Sequence, residues 1–263
     1  HDLGVYPSGD IDILVHPDDL AAAKSVLQSQ AGYAASQGHN EEELLASHYH
    51  YMLNKKQYLL EVHWNLTKRY FEVPPEFWWQ GVRTVKWRGM DTLELSPEKY
   101  LMYTIFRLFD HCFFPLRFLV LIAGILEHYA LEICWDTLMH DCGRFKMKRL
   151  VTFTLQLVHE LLGAEIPTAL AKKKLRGYST LKKLCLSGIL NGIERQHLRM
   201  MCYTSLLDSP AAVARALFGR LIPNRGELCL RYNLAPDSSK IFLYYVLNPV
   251  LLFLKNNEKS RRQ

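Results

Sequence analysis

The stretch Ser8-Gly9-Asp10-Ile11-Asp12-Ile13-Leu14-Val15 holds two carboxylates two residues apart, the first residues along the chain able to do chemistry. On an extended strand side chains alternate, so Asp10 and Asp12 share one face while Ile11 and Ile13 turn toward a core. Two acids so close repel each other, and a divalent cation between them resolves that cost. Hard oxygen ligands favour magnesium, which keeps some waters and takes its remaining ligands from substrate phosphates. Phosphoryl transfer is the chemistry this implies. A third acid, Glu61, stands between Leu60 and Val62, an odd place for a charge in a core strand. It shares a face with Leu59 and His63, while Tyr58, Leu60, Val62 and Trp64 form the other. If the two strands lie side by side, Glu61 completes a triad that holds two metals or acts as a base on an acceptor hydroxyl.

The elements that must position these acids can be read from periodicity and punctuation. Ile11 to Val15 is a short β-branched run that stops at His16 and Pro17. Pro in a first turn, with Asp18 and Asp19 after it, starts a helix with Leu20, Ala23, Val26 and Leu27 on one face. That helix is expected to end near Gln30, with Gly32 in a left-handed cap. Residues 34 to 47 are polar and read as loop. Tyr49 to Leu53 and Tyr58 to Trp64 are strand-forming runs separated by Asn54 to Gln57, which predicts an antiparallel hairpin.

From Ser96 the period becomes helical, with Ser96 as cap and Pro97 in the first turn. Further helices are expected near 115–128, 131–141, 144–162, 167–175, 179–191 and 209–221. The expectation is an α+β fold in two domains. Residues 1–94 form a small mixed or antiparallel sheet with a flanking helix, truncated at its N-terminus. Residues 95–263 form an all-helical domain with an apolar, basic C-terminal segment.

Bulk composition excludes little but does bound the class. Over 263 residues, 49% hydrophobic and 22% charged, the chain has the make-up of a folded domain rather than a disordered one. The net charge of +6 suits phosphate-bearing ligands without requiring them. Six cysteines without a CxxC pair or metal-type spacing predict buried thiols in a reduced, cytoplasmic setting and argue against zinc. No signal peptide opens the chain, and the absence of an initiator Met before an immediate strand reads as a fragment lacking upstream sequence. Ile241 to Leu254 is strongly apolar but only 14 residues long, with Asn248 and Pro249 inside it. A span needs about 20 residues, so a buried, Pro-kinked terminal helix is expected. Peripheral membrane contact through this segment and the basic Lys255 to Arg262 tail is the second reading.

At SGDIDILVHPDDLAAAKSVL with its Gly32-Tyr33 pair, at LLEVHWNL, and at LELSPEKYLMY, the chain resembles the uncharacterised bacterial nucleotidyltransferase family of the DNA polymerase beta-like superfamily. FGRLIPNRGELCLRYNL and the tail extend a weaker likeness to nearly the full chain. The resemblance implies transfer of a nucleoside monophosphate from an NTP to an unidentified acceptor hydroxyl or phosphate. It implies Mg2+ on Asp10, Asp12 and Glu61, and nucleotide contact at Ser8 and Gly9. Two features depart from the family. Its upstream strand and Gly-Ser turn, which grip the triphosphate, have no counterpart here. Arg107, Asp110 and His111 stand where spaced histidines are usual. These departures support an alternative: a catalytically silent binding module of the same fold, of the kind used in cell-envelope polysaccharide biosynthesis.

Other signals weigh less. His48, His50 and His63 could make a transition-metal site. The simpler reading makes them surface histidines or supports behind the ligands, and has His63 orient Glu61 from behind. Lys172, Lys173, Lys174, Arg176, Lys182 and Lys183 read as a solvated helix face. With Tyr178 as the one interleaved aromatic, nucleic acid is not expected as a partner. Trp78 and Trp79 read as packing residues rather than a base-stacking platform.

Overall fold

The computed structural model describes residues 10–35, 49–68, 71–172, 174–191, 196–223, 225–232, 234–235 and 237–261. The chain divides into two compact units. One combines residues 1–68 with 215–263, and the other is residues 69–214.

The first unit is built on a four-stranded sheet of β1 (Asp10–Leu14), β2 (Ala34–Ala35), β3 (His50–Lys55) and β4 (Tyr58–His63), in the order β1-β4-β3-β2. β1 runs parallel to β4, and β4 and β2 each run antiparallel to β3. A turn of 3-10 helix at Pro17–Asp19, capped by the His16 ring accepting from the Asp18 amide, leads into α1 (Leu20–Ser29). Gly32, at φ 71°, lets the chain reverse after the helix, where the Tyr33 amide returns to the Leu27 carbonyl. The β3–β4 turn is tighter than the expected four residues. Lys56 takes φ 53° and Gln57 completes a two-residue loop, which extends both strands.

One sheet face is the core: Tyr51, Leu53, Leu60, Val62 and Trp64 are buried there, with Ile13, Val15, Leu20, Leu27 and Tyr33 packed against them. Ile11 departs from expectation. It is 48% exposed, because among the described residues β1 has a strand on one side only and the α1 packing begins at Ile13.

The same unit ends in two helices, α11 (Arg225–Tyr232) and α12 (Lys240–Arg261), which share a small core of Leu228, Cys229 and Ile241. Asn248, within α12, is fully buried. It donates to the Leu221 carbonyl at 2.7 Å and accepts from Arg231 and Tyr232, each at 2.8 Å. The terminal helix is thus present, but its apolar residues are not all inside. Ile241 is buried, whereas Phe242, Leu243, Val246 and Val250 are exposed.

The second unit starts with α2 (Pro75–Trp79) and a hairpin of β5 (Arg83–Trp87) and β6 (Met90–Glu94). It continues through α3 (Pro97–Asp110), α4 (Leu116–His128), α5 (Trp135–Arg144), α6 (Lys148–Leu162), α7 (Thr168–Lys172), α8 (Tyr178–Asn191) and α9 (Gln196–Leu206). α10 (Pro210–Leu221) carries the chain back to the first unit. α3 is central: Leu101, Met102, Ile105, Phe106, Leu108 and Phe109 are all inaccessible. Trp78 is fully buried and Phe77 packs edge-on to Phe145 at 4.7 Å, so this aromatic segment serves the core of its unit. Ser96 precedes α3 as expected but makes no capping bond through its side chain.

Candidate metal centre

The sheet face opposite the core carries the acids. In the parallel pairing of β1 with β4, Asp10 lies opposite Leu59, Asp12 opposite Glu61 and Leu14 opposite His63. Alternation on β4 puts Glu61 and His63 on one side, and alternation on β1 puts Asp10 and Asp12 on the same side. On the third strand His50 is the cross-strand partner of His63. The two imidazoles stack with centroids 4.9 Å apart, and the Tyr49 ring stands 5.8 Å from that of His63.

His63 Nε2 lies 3.2 Å from Glu61 Oε2 and 3.6 Å from Asp12 Oδ1, and His50 Nε2 lies 4.0 Å from the same Glu61 oxygen. One ligand atom each from Asp12, Glu61 and His63 fall within 4.8 Å of one another. Asp10 is half-buried and shares their face, but it is outside that tight group. Ser8 and Gly9 lie outside the described residues, as does His48.

The charge states reflect these neighbours. The His63 side chain holds the Glu61 carboxyl below its usual range, with help from His50, against the opposing effects of burial and of the Asp12 charge. Burial works against a charge on His63, yet Asp12 and Glu61 together outweigh it and raise the ring above its ordinary value.

Residues 1–163 match the model of a protein family described as uncharacterised nucleotidyltransferase. The chain belongs to this family. Comparison with curated proteins and with solved structures gave no match. The nucleotidyltransferase match covers the whole sheet and the helices as far as the end of α6.

Nucleotidyl transfer is phosphoryl chemistry that draws on divalent cations, and the residues present suit one. Two carboxylates and an imidazole converge, and both nitrogens of the buried His63 ring lack a hydrogen-bond partner. Such a gap is the kind a bound ion fills. Sequence reasoning places His63 beside Glu61 through strand alternation but gives it a supporting role only. It leaves His50 open between the surface and a supporting place, and the structure has His50 half-buried against His63. The pairing that brings both histidines to the acids is a tertiary fact, and the spacing of residues alone does not carry it.

Proposed function

We propose that the chain moves a nucleoside monophosphate from an NTP to an acceptor hydroxyl or phosphate, at a magnesium site made by Asp10, Asp12 and Glu61. The observation that carries this reading is the parallel β1–β4 register, which sets Asp12 directly opposite Glu61 on a sheet face with Asp10 beside it. The likeness of SGDIDILV and LLEVHW to the DNA polymerase beta-like superfamily supports the same reading.

Bound there, a divalent cation supplies charge neutralisation on the triphosphate and a lowered pKa for an attacking hydroxyl. The protein's own contribution is electrostatic. Glu61, held below its ordinary pKa by His63, stays a carboxylate at neutral pH, which suits a ligand and makes it a weak base. Ser8 and Gly9, immediately before β1, are proposed to contact the phosphates. Residues 1–94 are proposed as the nucleotidyltransferase domain and 95–263 as a helical domain.

Among the described residues no helix is long and apolar enough to cross a membrane. The exposed Phe242, Val246 and Val250, spaced at helical turns ahead of a basic tail, support peripheral membrane contact by a protein of the cytoplasm.

Calorimetric titration of Mg2+ and each NTP tests the reading, comparing the wild type with an Asp10→Ala, Asp12→Ala double variant. Metal-dependent nucleotide binding that disappears in the variant is expected. Nucleotide binding unaffected by the two substitutions would sink it.

A further inference from the structure

His63 is the least accessible polar residue on the acidic face, 1% exposed, and neither of its ring nitrogens makes a hydrogen bond. Burying polar nitrogens without partners is costly, and folded proteins tolerate it chiefly where a ligand completes the group. The ring is held in place by stacking on His50 and by Tyr49. Its Nε2 faces the carboxylate pair, 3.2 Å from Glu61 and 3.6 Å from Asp12.

An imidazolium parked between two acids would direct an N–H at an oxygen. Here the nearer oxygen, at 3.2 Å, lies off that direction. The separations suit ligation instead. Around an octahedral cation with bonds of about 2.1 Å, adjacent ligand atoms stand about 3 Å apart and opposite ones about 4.2 Å. His63 Nε2 stands 3.2 Å from Glu61 Oε2 and 3.6 Å from Asp12 Oδ1, between the adjacent and opposite spacings.

Nitrogen in the donor set changes which cation is preferred. Magnesium takes an all-oxygen shell, whereas imidazole suits first-row transition ions and manganese accepts carboxylates as well. We propose that His63 Nε2 is a direct metal ligand alongside Asp12 and Glu61, so that this site, besides the Mg2+ of the proposed reaction, binds Mn2+-class transition dications more tightly than it binds Mg2+. The proposal rests on the reading of the same face as a metal centre, and it replaces the supporting role of His63 with a bond.

The test uses the full chain with Mn2+ alone and needs no nucleotide. Pulsed electron paramagnetic resonance of the Mn2+-loaded protein is expected to show coupling to a directly bonded nitrogen. That coupling should change from the 14N to the 15N pattern when histidine alone is labelled. It is expected to persist in His50→Gln and vanish in His63→Gln.

By calorimetry, His63→Gln should weaken Mn2+ by at least about tenfold while shifting Mg2+ by less than about threefold. Mn2+ binding that needs Asp12 but shows no histidine nitrogen overturns the proposal and leaves the carboxylate site standing. Absence of any Asp12-dependent binding of Mn2+ or Mg2+ overturns both. Because the isotope experiment is done on the wild-type chain, the presence of a histidine ligand is tested whether or not His63→Gln folds, and persistence in His50→Gln excludes the neighbouring ring.

Discussion

Asn248 gives the most searching test of how the C-terminal helices are held. Its amide donates to the Leu221 carbonyl at the end of α10, a group that has no further helical amide to pair with. Its oxygen collects Arg231 Nη1 and Tyr232 Oη from α11. Leucine at this position has the same number of side-chain heavy atoms but bulkier ends and can make none of these bonds, so the polar complementarity is lost and some overpacking is added.

A buried group stripped of its partner costs about 1–3 kcal/mol. Arg231 and Tyr232 are half-buried and can recover part of that from water, so the sum for Asn248→Leu is about 2–4 kcal/mol. At about 1.4 kcal/mol per factor of ten, this is about 30- to 1,000-fold faster local opening. Amide hydrogen exchange, measured by mass spectrometry on peptides from 225–232 and 240–251, reads it directly, with peptides from α3 as the internal control. Exchange in Asn248→Leu within about threefold of wild type would refute the reasoning, because three bonds to one inaccessible side chain would then hold nothing.

Other outcomes can be checked more simply. Glu160 sits at about 2 because Lys182, then Tyr178, stabilise its carboxylate. A depressed folded-state pKa gives stability that is present above the ordinary value of 4.5 and lost as pH falls toward 2. The group is exposed, so denaturant melts of wild type and Glu160→Gln should differ by no more than about 1 kcal/mol at pH 6 and converge near pH 2. Among the six cysteines, Cys134 is the exposed one, and Thr137 lowers its thiol pKa; burial pushes Cys142 up to about 12. Iodoacetamide at pH 8 should therefore label Cys134 in the native protein and Cys142 only on unfolding, as read by peptide mapping. Leu53→Ala, at a position 1% exposed in the sheet core, should cost about 2–5 kcal/mol, seen as faster hydrogen exchange in β3 and β4 with α3 unchanged.

Much of this fold is legible in the sequence because the signals are local. Alternation around Asp10 and Asp12, Pro17 at a helix start, Gly32 at its end and Pro97 opening α3 all depend on neighbours in sequence. What cannot be read depends on distant ones. The hairpin β5–β6 gives no such signal, because its turn is made by Arg88 and Gly89, both at positive φ, between strands that leave Trp87, Met90 and Leu93 exposed and so lack a clear apolar face. The pairing of β1 with β4 can be stated from sequence only as a condition, since nothing in either strand names its partner. Chain order suggests two consecutive domains, while the compact units interleave, with 215–263 joining 1–68.

That interleaving has a consequence for how the protein is made. Residues 69–214 form one continuous stretch of sequence, so the contacts within that unit can form before residues 215–263 have been added. The strands bearing Asp12, Glu61 and His63 are made before that unit and the helices grouped with them are made after it, so the first unit stays incomplete until synthesis has passed through the second.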